Sequence, residues 1–363
     1  MDISLIDPNF KLSTVTEPDV EWHEITEPAF SLHGVFYDES RDQYYRMPYE
    51  IAATVSEGVR HLNGMSSGGR VRFSTNSPYV AVQCIAPAYF PMNHMPLTGS
   101  HGLSLYADGV YYSMYAPNTE IVIKAAQAGA KSFAFDGLRR IPQDGSLKTC
   151  TLYFPLYGGV RKLLIGLKKG CKLQAAPAYK QEKPVVFYGS SITQGGCASH
   201  AGNDYAGFLS QWLNFDYINL GFSGNGKAEP QMNDYLAELD ASVYVLDYDY
   251  NATNAEYLAK THYPLYERIR KSRPNTPIVF LTNSDGAYYP EEAKKRREII
   301  YATYQKAKEQ GDRNVWYVSG EKMFDGKEKW SCAVDTCHPN DLGFFRIAEA
   351  VEPALKEALN RVE

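Results

Sequence analysis

The 363-residue sequence contains no HExxH helix, no CxxC pair and no Gly-rich loop closed by Lys and a hydroxyl residue. These absences remove the usual signatures of a zinc protease, a zinc ribbon, a thioredoxin-type redox centre and a phosphate loop, so no metal or other cofactor is expected. Long apolar runs are missing too. No window approaches the ~18 uninterrupted apolar residues that a bilayer demands, and no membrane span is expected. Neither sign of charge dominates, with 37 basic against 42 acidic residues. The one dense basic run, Lys294, Lys295, Arg296 and Arg297, lies in a helical pattern with acidic neighbours, which argues against a nucleic-acid partner. Low-complexity tracts are absent, excluding collagen-like, coiled-coil and disordered classes. The opening MDISLIDPNFKLSTV has neither a basic n-region nor an apolar h-region. As written it predicts a cytoplasmic protein, and a periplasmic or secreted one if a signal peptide has been removed.

What is present is an ordinary globular composition with 44% hydrophobic residues, a length suited to about two domains, and 28 tyrosines. Tyrosine favours strands and can stack on sugars, so the count alone decides neither. From Trp22 to about Ala175 short β-type runs are cut by Gly, Pro, Asn and Asp. They include VRFS, YVAVQCIA, GLSLYADGVYYSMY, EIVIKA, CTLYFPLY and KLLIGLKKGCKL. This spacing predicts an all-β antiparallel sandwich, read as a jelly roll, with a hairpin turn at Asp108–Gly109. After the linker the period changes. Apolar runs VVFYG, YINLGF, VYVLDY, PIVFLT and NVWYVS alternate with amphipathic helical stretches, which predicts a doubly wound α/β domain on a five-stranded parallel sheet. The expected organisation is an N-terminal extension over 1–20, the sandwich over 21–176, a linker over 177–183 and the α/β domain over 184–363.

Open α/β sheets place their sites beyond the C-terminal ends of the strands. The first run ends in Gly189, Ser190, Ser191, Ile192, Thr193 and Gln194. A serine there can present its hydroxyl to a cleft, or the hydroxyls can merely cap the next helix. The last loop carries Asp335, Thr336, Cys337 and His338. An Asp three residues before a His can receive the Nδ1 proton and leave Nε2 to accept one from a serine. After the second run come Gly221 to Gly226, and after the third Asp247, Tyr248, Asp249, Tyr250 and Asn251. A glycine N–H and an asparagine amide are the donors that an oxyanion needs, although the glycines can equally form a simple turn and Asn251 can cap a helix. Asp247 and Asp249 on the same edge would be unfavourable beside an oxyanion unless they point away.

On these four blocks, in this order, residues 184–363 resemble the SGNH (GDSL-type) hydrolase family. The resemblance implies Ser191 as nucleophile, Gly224 and Asn251 with the Ser191 N–H as oxyanion donors, Asp335 as orienter and His338 as general base and acid. The sequence departs from the family with Ser190 in place of the Asp of GDS, and with Asp249-Tyr250-Asn251-Ala252 in place of GxND. In the first half, Gly102-Leu103-Ser104-Leu105-Tyr106 resembles the GxDLY-type module that precedes some SGNH hydrolases, with Ser104 in place of Asp. The combined architecture resembles carbohydrate acetyl esterases. The resemblance thus implies a serine esterase that removes short acyl groups, O-acetyl above all, from a small-molecule or oligosaccharide ester. The alternatives are a carbohydrate-binding protein with an inactive hydrolase domain, and a lipid esterase or thioesterase. The site-loop segments lack the apolar character that a long acyl chain would need. Cys197 and Cys337 flank the expected site, and two free, partly buried thiols are favoured there over a disulfide.

Overall fold

The computed structural model describes residues 15–142, 144–284 and 290–362, so most of the expected N-terminal extension lies outside the described residues. The chain forms two compact units, each discontinuous in sequence. One takes the chain up to Arg46, Gly64–Ala178 and Ser199–Gly202; the other takes Met47–Asn63, Tyr179–Ala198 and everything from Asn203 onward. Helices α1 (Tyr49–Val55) and α2 (Glu57–Leu62) therefore belong to the second unit, although the sequence carries them within the first half.

The first unit is built from β1 (Val20–Glu24), β2 (Ser31–His33), β3 (Phe36–Asp38), β4 (Gln43–Tyr45), β5 (Arg70–Thr75), β6 (Tyr79–Pro87), β7 (Leu103–Ala107), β8 (Val110–Tyr115), β9 (Ser132–Arg140), β10 (Lys148–Tyr153), β11 (Lys162–Lys168) and β12 (Leu173–Gln174). They form an antiparallel sheet of order β1-β11-β6-β9, a second of order β12-β5-β10-β7-β8 with β2 on β5, and the ribbon β3-β4. Alternation sets which face is buried. In β9, Phe133, Phe135 and Gly137 are buried while Ser132, Ala134, Asp136 and Leu138 between and beside them are half-buried. Phe73, Leu105 and Leu152 from one sheet share a buried cluster with Val82, Phe135 and Ile165 from the other. The β7–β8 hairpin turns through Asp108 (φ 50°) and Gly109 (φ 76°), the left-handed pair expected there.

This unit is β-rich and not all-β. Besides the short α3 (Leu97–Ser100), EIVIKA lies in helix α4 (Thr119–Gln127) and not in a strand. The run of Ile121, Val122 and Ile123 reads as a strand, but Asn118 caps the helix by accepting from Glu120 N (2.8 Å) and Val122 and Ala126 form its buried stripe. Capping and burial at helical spacing outweigh a local β preference of a few tenths of a kcal/mol per residue.

In the second unit the strands are β13 (Gln181–Gly189), β14 (Phe215–Gly221), β15 (Val243–Asp247), β16 (Ile278–Leu281) and β17 (Val315–Val318). All pair in parallel, in the order β14-β13-β15-β16-β17. Strand β13 starts at Gln181, inside the stretch read as linker. Residues of β15 and β16 are buried throughout, as sheets covered on both faces require. Besides α1 and α2, its described helices include α5 (Ser191–Gln194), α6 (Tyr205–Leu213), α7 (Pro230–Glu238), α8 (Ala255–Ser272), α9 (Pro290–Glu309) and α10 (Asp341–Leu359). From β13 the chain passes first to β14 on one side and then to β15 on the other. That reversal opens a crevice at the C-terminal end of β13.

Candidate active site

Ser190 follows β13 in extended backbone and caps α5. Its hydroxyl accepts from Ile192 N (3.1 Å), and Thr193 Oγ1 accepts from Ser190 N (3.2 Å). The capping role is thus filled by Ser190 and Thr193, leaving the Ser191 hydroxyl for another partner. That partner is His338, whose Nε2 lies 2.9 Å from Ser191 Oγ. Across the ring, His338 Nδ1 lies 2.7 Å from Asp335 Oδ2. An ionised carboxylate only accepts, so Nδ1 carries the proton and Nε2 accepts from the serine.

Chain geometry fixes Asp335 against His338. Its other oxygen accepts from His338 N (2.8 Å) and Cys337 N (3.2 Å), while Val334 N donates to His338 O (2.9 Å) to close the loop. Thr336 turns the corner at φ 68°, and Asn340 caps α10 through Gly343 N. Burial raises the Asp335 pKa, but the bonds from the His338 N–H and ring and from Cys337 N–H outweigh it and hold the carboxyl below its ordinary value.

Three turns at the sheet edge are stitched together around this pair. Phe222 N donates to Gly189 O (2.9 Å), and Asn251 Nδ2 donates to Phe222 O (2.9 Å). Asn219 Nδ2 donates to Thr193 O (2.6 Å), and Ser223 N donates to Gln194 Oε1 (3.0 Å). Gly224, at φ 67°, forms the exposed tip of the second turn. Asn251 is not a helix cap; Asn254 caps α8 by accepting from Tyr257 N (2.8 Å). The structure hydrogen-bonds Ser191, His338 and Asp335 into one chain and brings Gly224 and Asn251 to adjoining turns.

Both aspartates of the third turn are engaged inside the protein. Asp247 Oδ2 accepts from Thr193 Oγ1 (3.1 Å) and Tyr205 OH (3.1 Å), and Asp249 Oδ2 accepts from Asn283 N (3.0 Å). Complete burial, with the Asp249 charge adding to it, pushes the Asp247 pKa up to about 8. Asp247 is therefore largely neutral at pH 7. All six cysteines are free thiols. Burial, reinforced by Asp335, pushes the Cys197 thiol up to about 12, so it does not compete with Ser191 as a thiolate. His200 falls in the first unit, its ring stacked on Tyr111 at 3.8 Å.

Sequence reasoning missed two contributors. One is the Thr193–Asp247–Tyr205 cluster. The other is Arg296, which donates to the backbone oxygens of Asp249 and Ala252 (the latter at 3.0 Å). A signal for Arg296 was present: Ala293, Arg296, Ile300, Thr303 and Ala307 form the buried stripe of α9, so one member of the basic run occupies a core position.

Comparison with known proteins gives the family of each half of the chain. Residues 182–356 match the model of the GDSL-like Lipase/Acylhydrolase family, and residues 20–173 match that of the N-terminus of Esterase_SGNH_hydro-type proteins. Among solved structures, a GDSL-like lipase from Bacteroides ovatus is similar with a TM-score of 0.80 at 25% identity, covering 94% of this chain and 98% of its own. The salicylyl-acyltransferase SsfX3 of a tetracycline biosynthetic pathway follows at 0.74 and 19%, covering 96% and 100%. The acetyl xylan esterase Est2A from Butyrivibrio proteoclasticus gives 0.58 and 16%, covering 95% and 100%. No curated protein sequence matches the chain.

Proposed function

The chain belongs to the SGNH/GDSL-type hydrolases and carries their GxDLY-type N-terminal module; from that premise we propose that it is a serine esterase releasing short acyl groups, O-acetyl above all, from carbohydrate. One observation carries the mechanism: the unbroken hydrogen-bond chain from Ser191 Oγ through the His338 ring to Asp335. As Ser191 Oγ attacks the ester carbonyl, His338 Nε2 takes its proton. Asp335 holds the tautomer and stabilises the imidazolium. The carbonyl oxygen gathers negative charge as the tetrahedral intermediate forms. Ser191 N, Gly224 N and the second N–H of the Asn251 amide are the donors assigned to it. His338 then protonates the departing alcohol, and water repeats the sequence on the acyl-enzyme.

The polarity of GSSITQGGCASHAGND and GFSGNGKAEPQMND supports a short acyl group. An acetyl xylan esterase among the structures of this shape supports a sugar as the alcohol. The test measures acetate release from p-nitrophenyl acetate and from acetylated oligosaccharides, with Ser191→Ala and Asn251→Ala alongside. Ser191→Ala abolishes release, whereas Asn251→Ala retains it at a rate lower by roughly 100- to 1,000-fold. Undiminished release by Ser191→Ala overturns the assignment. Glycan retention without acetate release by the folded parent favours the binding-protein alternative.

A further inference from the structure

The Asn251 amide works as an oxyanion donor only if one N–H is held aside and the other is aimed. The first is held by Phe222 O. The aim of the second depends on the backbone of the turn that carries it, Asp249–Asn251, a single 3-10 turn closed by Asn251 N donating to Tyr248 O at 2.9 Å and Ala252 N donating to Asp249 O at 3.2 Å. These two bonds close one short turn only, and a donor displaced by a fraction of an ångström loses much of its effect.

We propose that Arg296 is a positioning residue for Asn251, clamping that turn from α9. This rests on the assignment of Asn251 as an oxyanion donor. Nη1 of Arg296 donates to both Asp249 O and Ala252 O, the carbonyls on either side of Tyr250 and Asn251. Its Nε donates to Glu292 Oε1 at 3.0 Å, one helical turn earlier, which orients the guanidinium plane. The side chain is 11% exposed, so these bonds form away from bulk solvent, where an unpaired carbonyl is unfavourable. Asp249 Oδ2 also accepts from Asn283 N, and Tyr250 OH accepts from Ser284 N at 2.9 Å. The turn is thus gripped by the residues after β16 and by α9, and the arginine spans both of its ends. A planar guanidinium supplies two divergent N–H groups from one nitrogen in a fixed geometry, which a lysine ammonium does not.

The experiment compares Arg296→Met, Arg296→Lys and Arg296→Gln with the parent, each also in an Asn251→Ala background. Arg296→Met should lower kcat by roughly 10- to 100-fold, below the full loss of one oxyanion donor, and leave KM within about threefold. Arg296→Lys should recover part of the loss. In the Asn251→Ala background Arg296→Met should add less than about threefold, because residues acting through one group are not additive. Side-chain amide resonances of 15N-asparagine-labelled protein, with Asn251 assigned by its absence in Asn251→Ala, read the turn without any substrate. The Asn251 pair should shift in each Arg296 variant that folds. An equal kcat loss in both backgrounds, a change confined to KM, or an unmoved Asn251 resonance overturns the proposal. Failure of the esterase assignment looks different: the parent then shows no Ser191-dependent release, and the resonances alone decide for or against Arg296.

Discussion

Asp247 sits at the end of β15 with Thr193 and Tyr205 on one carboxyl oxygen, directly behind the turn that presents Ser191. Its pKa, pushed up to about 8 from an ordinary 3.8, means that the folded protein holds a proton which the unfolded chain releases across that interval. With fewer protons bound in the unfolded state, stability falls as pH rises from about 4 to about 8, by up to ~1.4 kcal/mol per pH unit, and levels off above that. Asp247→Asn is isosteric with the neutral acid, keeps an oxygen for both donors and has no proton to lose. Urea unfolding at a series of pH values should show the variant without this decline, gaining on the parent most at pH 8 and above. A parent and a variant that track each other across the range would show that Asp247 is not held neutral by the fold.

At the scale of the elements, the site consists of three turns whose close approach depends on glycine for two distinct reasons. Gly224 needs its positive φ, yet a Cβ there meets nothing within 4 Å. Gly226 is the reverse: a Cβ would lie 2.1 Å from Gly189 O, the carbonyl that joins the first turn to the second. Gly224→Ala should therefore lower stability by about 1 to 2 kcal/mol, the strain of a left-handed residue. Gly226→Ala should cost more, with a larger fall in kcat, because the backbone below Ser191 must move. Urea midpoints and esterase rates of the two variants check the order, and the reverse order would contradict it.

The same scale shows what the sequence made legible. The five parallel strands stand out because strands buried on both faces are continuous apolar runs. Ser191 stands out because it directly follows the first such run, and Asp335 and His338 because they lie three residues apart on the loop before the last helical pattern. EIVIKA was misleading because a six-residue β-branched stretch carries no period, and its helix is decided by the Asn118 cap and by packing. Arg296 was hidden in a basic run that looks like a solvated face; only its place on the buried stripe of α9 separates it from Lys294 and Lys295. Asp247 could be placed at the sheet edge, but its direction could not, because a sequence does not show which way a carboxylate turns.

For the whole molecule, the two units follow contacts and not chain order. Helices α1 and α2 join the α/β unit, where Gly58 of α2 lies against Asn225; a Cβ on Gly58 would fall 2.0 Å from Asn225 Oδ1. Asn225 adjoins Gly224, so a segment from the first half of the sequence packs beside the Gly224 turn of the second. Short helices of six and seven residues have too little periodicity to reveal this, and the partner is more than 160 positions away in the chain. The central claim remains that Ser191, activated by His338 and Asp335, takes the acyl group onto itself. Acid-quenching a reaction with p-nitrophenyl acetate during its first turnovers and mapping the acetyl group by peptide mass spectrometry tests it most directly. The account predicts acetyl on Ser191 and none at that position in Ser191→Ala; acetyl carried instead by Ser190 or another residue, or ester cleavage at full rate with no acylated protein, would contradict it.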